Sequence, residues 1–153
     1  MATYVQGWTQ AYSDKMEKGG NPSTWQSEAV TSHLRGPVVV VDPGKSEVVE
    51  DLQSSLPDYL KPKKPAAIRI VVWVDHYTQA TGRYTDGSSA LTWFADQVFV
   101  DARTHQILGT TELTGGAPPD TVYANGSREG SDISSDEIVA SIVKWIRNTP
   151  SSG

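Results

Sequence analysis

Two carboxylates and two imidazoles stand in or beside segments that read as strands. Asp75 and His76 are adjacent in an apolar run, Asp96 lies in a second run, and His105 sits in the turn after it. A carboxylate within hydrogen-bond reach of an imidazole is the smallest apparatus for general acid–base hydrolysis, so these four are the candidate catalytic residues. Chain geometry restricts them. Neighbouring residues of a strand point to opposite faces, so Asp75 and His76 cannot act on one atom, and a working pair has to form across strands. The plainer reading is that the strand leaves its covered core at Asp75–His76 and that His105 is a solvated turn residue. A paired-carboxylate glycosidase built from Asp75, Asp96 and Asp101 depends on a strand geometry that spacing does not fix.

Other chemistries fail on residue type. The absence of cysteine removes thiolate nucleophiles, disulfides and cysteine-held zinc or iron–sulfur clusters. His33, His76 and His105 have no metal-ligand spacing, and no GxSxG elbow accompanies them. Gly44-Lys45-Ser46 resembles the end of a phosphate loop, yet the first glycine of that motif falls on Val39, inside a strand. Neither a cofactor nor a metal is expected. A formal charge of −5 and a pI near 5.1 give no source of non-specific nucleic-acid affinity. The longest apolar runs, 38–41 and 70–74, fall far short of the ~18 residues of a membrane span, so this sequence is expected to be soluble and not to insert. Tyr77, Tyr84, Trp93 and Tyr123 form the candidate binding surface, an aromatic platform for a protein or small ligand, although strands also favour aromatics simply for packing.

The elements that would position these residues follow from periodicity. Tyr4, Val5, Trp8, Ala11, Tyr12 and Met16 recur at helical spacing, predicting a helix over 2–18, stopped by Gly19-Gly20-Asn21-Pro22. A shorter helix from Ser23 to Leu34, closed by Gly36, completes an N-terminal helical segment over 1–36 that is either docked or a stalk. The valine run 37–42, ended by Asp42-Pro43-Gly44, suits a strand buried on both faces. Ser46 is placed to cap a short helix carrying Val48, Val49 and Leu52, and three prolines in 56–65 mark a connector. Long strands over 67–84, 89–102 and 106–114 form a meander, with Asp86-Gly87 as a hairpin turn. The segment 115–135, with the sequon Asn125-Gly126-Ser127, lacks any period and is expected to be mobile. Ser134 and Glu137 then open a helix over 135–148 whose wide apolar face puts Ile142 and Trp145 in the core. Residues 149–153 read as a disordered tail.

These elements predict an α+β fold: a mainly antiparallel four-stranded sheet, made of the meander plus one N-terminal strand, with a C-terminal helix on one face and N-terminal helices, and with 37–148 as a single domain. The order of signals resembles a family of bacterial domains without an assigned activity, found in cyanobacterial and other membrane-attached or exported proteins. The resemblance spans about 37–148. It is carried by the valine strand ending in Asp42-Pro43, Leu56-Pro57 with Leu60, Val71-Val72-Trp73-Val74, Thr85-Asp86-Gly87, Phe99-Val100-Asp101, Ile107-Leu108-Gly109, Gly116-Ala117-Pro118-Pro119 and Ser135-Asp136-Glu137-Ile138-Val139. This chain departs from it at Pro65-Ala66-Ala67-Ile68, where the family has Thr-x-Glu-x-Val, and in its N-terminal helices. The resemblance implies a fold and an extracytoplasmic or membrane-tethered location, and it transfers no site residue. The functional expectation is a non-catalytic extracytoplasmic binding or interaction module; the alternative is a small hydrolase using an Asp/His pair on the sheet.

Overall fold

A computed structural model describes residues 2–18, 36–119 and 129–148. The expected helix over 23–34, His33, Tyr123, the sequon and the tail 149–153 lie outside the described residues. In chain order the elements are α1 (Ala2–Glu17), β1 (Val38–Asp42), β2 (Glu47–Val48), α2 (Glu50–Ser55), β3 (Ile70–Arg83), β4 (Ser89–Asp101), β5 (Ile107–Thr114) and α3 (Ser135–Asn148). Single 3-10 turns at Asp58–Leu60 and Pro65–Ala67 carry the proline-rich connector.

The fold is α+β, but the sheet is mixed and five-stranded, in the order β2-β1-β3-β4-β5. This corrects the expected four-stranded, mainly antiparallel sheet in two places. First, β1 lies parallel to β3, Val38 opposite Ile70 and Val41 opposite Trp73. The cause is the long connection through α2, which returns the chain to the end of the sheet from which β1 began. Second, a two-residue strand precedes α2. Asp42 Oδ1 accepts the amides of Gly44 and Lys45 at 2.9 and 3.1 Å. Ser46 takes a left-handed φ of 55°, and the chain reverses so that Glu47–Val48 pairs with β1. Ser46 therefore turns the chain instead of capping the helix; Val49 holds the N-cap position of α2, with no side-chain cap bond.

β2 is too short to satisfy the outer edge of β1, and α2 completes the job. The Gln53 amide donates to Val38 O at 2.9 Å and accepts from Val40 N at 2.8 Å, a side-chain copy of a strand rung. Buried backbone groups left without such partners would each cost about 1–3 kcal/mol.

Alternation along the strands separates two cores. On one face Val38, Val40, Ile70, Val72, Val74, Ala95 and Phe99 pack under α2 and α3, meeting Leu52, Ile138, Val139, Ile142 and Ile146. On the other, Val39, Val41, Val71, Trp73, Val98 and Val100 pack under Val5, Trp8 and Tyr12 of α1. Thus α1 is docked on the sheet: Trp8 Nε1 donates to Ala102 O at 3.0 Å, and the hydroxyls of Thr9 and Ser46 meet at 2.8 Å.

In α3, Ile142 is fully buried, but Trp145 is only half-buried, a correction to its expected place inside the core. Its ring lies flat on Phe99, with centroids 3.9 Å apart and planes 9° apart. It also covers Gly109, where a Cβ would stand 2.8 Å from Trp145 Cζ2. The described ends of the segment expected to be mobile are tied down. Gly115 and Gly130 donate to Trp93 O and Leu91 O, and Gly116 donates to Ser131 O at 3.0 Å. The two segments cross so closely that a Cβ on Gly130 would strike Gly116 O.

Candidate functional site

Local sequence and two irregularities set the site. Asp86-Gly87 closes the β3–β4 hairpin, with Gly87 at a φ of 87° and Asp86 Oδ1 accepting Ser88 N at 2.9 Å. The register begins with Arg83 opposite Ser89, then shifts by one residue between Ala80 and Gly82, so that Asp75 falls opposite Asp96. A second shift lies between the Val100–Ile107 and Phe99–Gly109 pairs and brings Glu112 opposite Asp96. Without these bulges Asp75 would face Gln97 and Asp96 would face Thr111. The bulges therefore align three carboxylates in one rung across three adjacent strands, on the face that α1 covers.

Asp96, at the centre of the rung, is 1% exposed. Its Oδ2 accepts the Tyr77 hydroxyl at 3.0 Å, while its buried Oδ1 has no donor among the described residues. Burial first, then the adjoining Glu112 carboxyl within hydrogen-bond reach, push the Asp96 carboxyl up to about 6; the Tyr77 hydrogen bond acts in the opposite direction. Asp75 is raised by its own burial and by the charge of Asp42, with His76 pulling the other way. The phenols bordering the rung respond alike. Burial and the bond to Asp96 push Tyr77 up to about 12, and burial with the charges of Asp75, Asp96 and Asp42 holds Tyr12 protonated well above its usual range.

His76 points to the α3 side, where its Nε2–H donates to Asp132 Oδ1 at 2.6 Å and its ring lies 4.9 Å from that of Trp93. His105 sits in the β4–β5 turn with a φ of 62°, its amide bonded to Asp101 O at 2.9 Å. Asp101 Oδ1 is occupied by the amides of Arg103 and Thr104. Of the candidate catalytic residues, then, Asp75 and Asp96 come together on one face, His76 lies on the other, and His105 belongs to the turn after β4. The imidazole that does meet a carboxylate meets Asp132, in a segment without periodicity. Glu112, Asp132 and Tyr12 were not singled out as site residues. For Tyr12 the helical spacing of α1 was the available signal; for Glu112 there was none, because its partner depends on a bulge.

The aromatic surface residues are dispersed. Tyr77 stacks with Phe94 on the α1 side, centroids 5.6 Å apart. Trp93 lies on the α3 side, and Tyr84, next to the hairpin turn, donates to Pro119 O at 2.7 Å. Among the described residues no cluster of three or more His, Asp or Glu could hold a metal ion. Comparison with protein-family models, curated proteins and solved structures found no match to this chain.

Proposed function

We propose that the chain is a non-catalytic binding or interaction module, extracytoplasmic or membrane-tethered in its native protein, that meets its partner with the outer half of the β3–β4 hairpin. One observation carries this reading. β3 is buried over 70–74, yet it continues to Arg83, and 79–83 are exposed. That arm is braced from both sides, by the Thr81–Thr92 hydroxyl pair at 2.7 Å, by Tyr84 on Pro119 and by His76 on Asp132. A long arm of this kind adds little to either core, whereas an exposed surface fixed by a rigid scaffold is what recognition requires. Nucleic acid remains disfavoured as a partner by the net charge of −5. No helix among the described residues is long and apolar enough to cross a membrane.

The variant Gln79→Ala/Arg83→Ala should unfold at the same denaturant concentration as the wild type and fail to retain the partner from the native envelope fraction. Full retention would overturn the assignment of the surface. Export is tested by fusing the full native gene to a periplasmic reporter, and activity confined to the cytoplasm would contradict it.

A hydrolase is the second reading, favoured by the His76–Asp132 contact, since a carboxylate that fixes an imidazole tautomer is half of a general-base pair. Ester, amide, phosphoester or glycoside hydrolysis that disappears in His76→Ala would replace the binding reading with this one.

A further inference from the structure

Like charges directly opposite one another across strands repel, and the rung Asp75–Asp96–Glu112 sets three acids side by side. No ion pair to lysine or arginine compensates them among the described residues. The middle residue of the rung is 1% exposed, and among the described residues only one of its carboxyl oxygens receives a donor, the Tyr77 hydroxyl. A buried carboxyl with one oxygen lacking a donor, and with a second carboxyl as its cross-strand neighbour, has one inexpensive solution, a proton held between the two.

We infer that Asp96 and Glu112 share one proton and form an acid-tightened latch between β4 and β5, so that the fold is held more firmly at mildly acidic pH than at pH 8. In the latched state one carboxyl donates to the other while Asp96 Oδ2 still accepts from Tyr77. In the open state the proton leaves to water, and two carboxylates face each other beside a third. Asp75 from β3 opposes that second charge, and Asp42 at the end of β1 acts in the same sense on Asp75. The phenols of Tyr12 from α1 and Tyr77 from β3 stay neutral in this range, and the Tyr77 hydroxyl favours the charged form of Asp96 through its hydrogen bond, so the latch depends on burial and the neighbouring carboxyls outweighing that bond. His76, on the opposite face of β3, acts on Asp75 in the other direction.

The sign follows from linkage. The Asp96 carboxyl is pushed up to about 6 in the folded chain from its ordinary 3.8, so between those values the folded chain keeps a proton that the unfolded chain has released. The stabilisation is complete below the unfolded value and is lost as pH rises through the folded one. Between pH 8 and pH 5 the pair should raise the folding equilibrium constant about tenfold. The latch is a property of the fold and stands whether or not the hairpin binds a partner.

The test is denaturant unfolding of the whole chain from pH 5 to pH 8, together with NMR titration of the Asp96 carboxyl carbon. Wild type should lose about tenfold in stability over that range, with Asp96 titrating near pH 6. Asp96→Asn, whose amide can donate to Glu112 and accept from Tyr77, should be the more stable form at pH 8 and should lack that slope. Glu112→Gln, at an exposed position, should also flatten the profile and move the Asp96 titration downward, and it decides the matter if Asp96→Asn does not fold. An Asp96 titration in the ordinary carboxylate range, or an unchanged slope in Glu112→Gln, overturns the latch.

Discussion

The seat of Trp145 offers a sharp test of how the α3-side core is packed, through the substitution Gly109→Ala. A Cβ at position 109 would lie 2.8 Å from Trp145 Cζ2 and 3.3 Å from Cε2 and Nε1. Carbon atoms rest at about 3.5–4.0 Å, so the indole has to lift by at least ~0.7 Å. Lifting breaks the stack on Phe99, a fully buried ring 3.9 Å away. Overpacking of this kind costs about 1–3 kcal/mol. The reduced backbone freedom of alanine in the unfolded chain returns about 0.4–1 kcal/mol, and the backbone at 109 is not left-handed, so the substitution adds no φ strain. The net expectation is a loss of about 1–2 kcal/mol in urea unfolding. Trp145→Ala, removing a half-buried ring, should cost somewhat less than the ~3–5 kcal/mol of a fully buried tryptophan. In that background Gly109→Ala should become neutral or slightly stabilising, a coupling of about 1 kcal/mol or more in a double-mutant cycle. Equal costs of Gly109→Ala in both backgrounds would show that the indole does not sit on this glycine.

Two further outcomes follow from backbone contacts. Gln53→Ala removes both bonds to β1 and should cost about 2 kcal/mol, with faster hydrogen exchange at the Val40 amide; unchanged exchange there would remove Gln53 from the edge of the sheet. Gly130→Ala should separate the crossing of 115–117 with 129–131 while leaving both cores folded, seen as lost exchange protection at the Gly116 and Gly130 amides alone. Global loss of protection would instead make that crossing part of the core.

Apolar period carried most of the element reading. The four valines of β1 and the unbroken apolar run from Ile70 to Val74 suit strands covered on both faces, and the apolar face of α3 has one way to be buried, so their positions were legible. Directions and registers were not. Whether β1 runs parallel to β3 depends on where a long connector returns, and Glu47–Val48 becomes a strand because of a left-handed Ser46, which a two-residue window does not reveal. The rung of acids is further removed from the sequence. A register counted from Asp86-Gly87 alone places Asp75 opposite Gln97, and only the shift between Ala80 and Gly82 moves it to Asp96. The separation of Asp75 from His76 was legible, because it needs only the alternation of a strand. The contact of His76 with Asp132 was not, because it joins residues 56 apart through a segment with no repeating pattern.

The most direct measurement of the proposed binding surface is site-specific photo-crosslinking in the native host. A photoreactive residue at Gln79, on the exposed arm of β3, is compared with one at Lys144, exposed on α3. The hairpin assignment requires a discrete crosslinked species from position 79 that is absent from position 144 and that disappears when Arg83 is also changed to alanine. Crosslinks of equal yield from both positions, or from 144 alone, would contradict it.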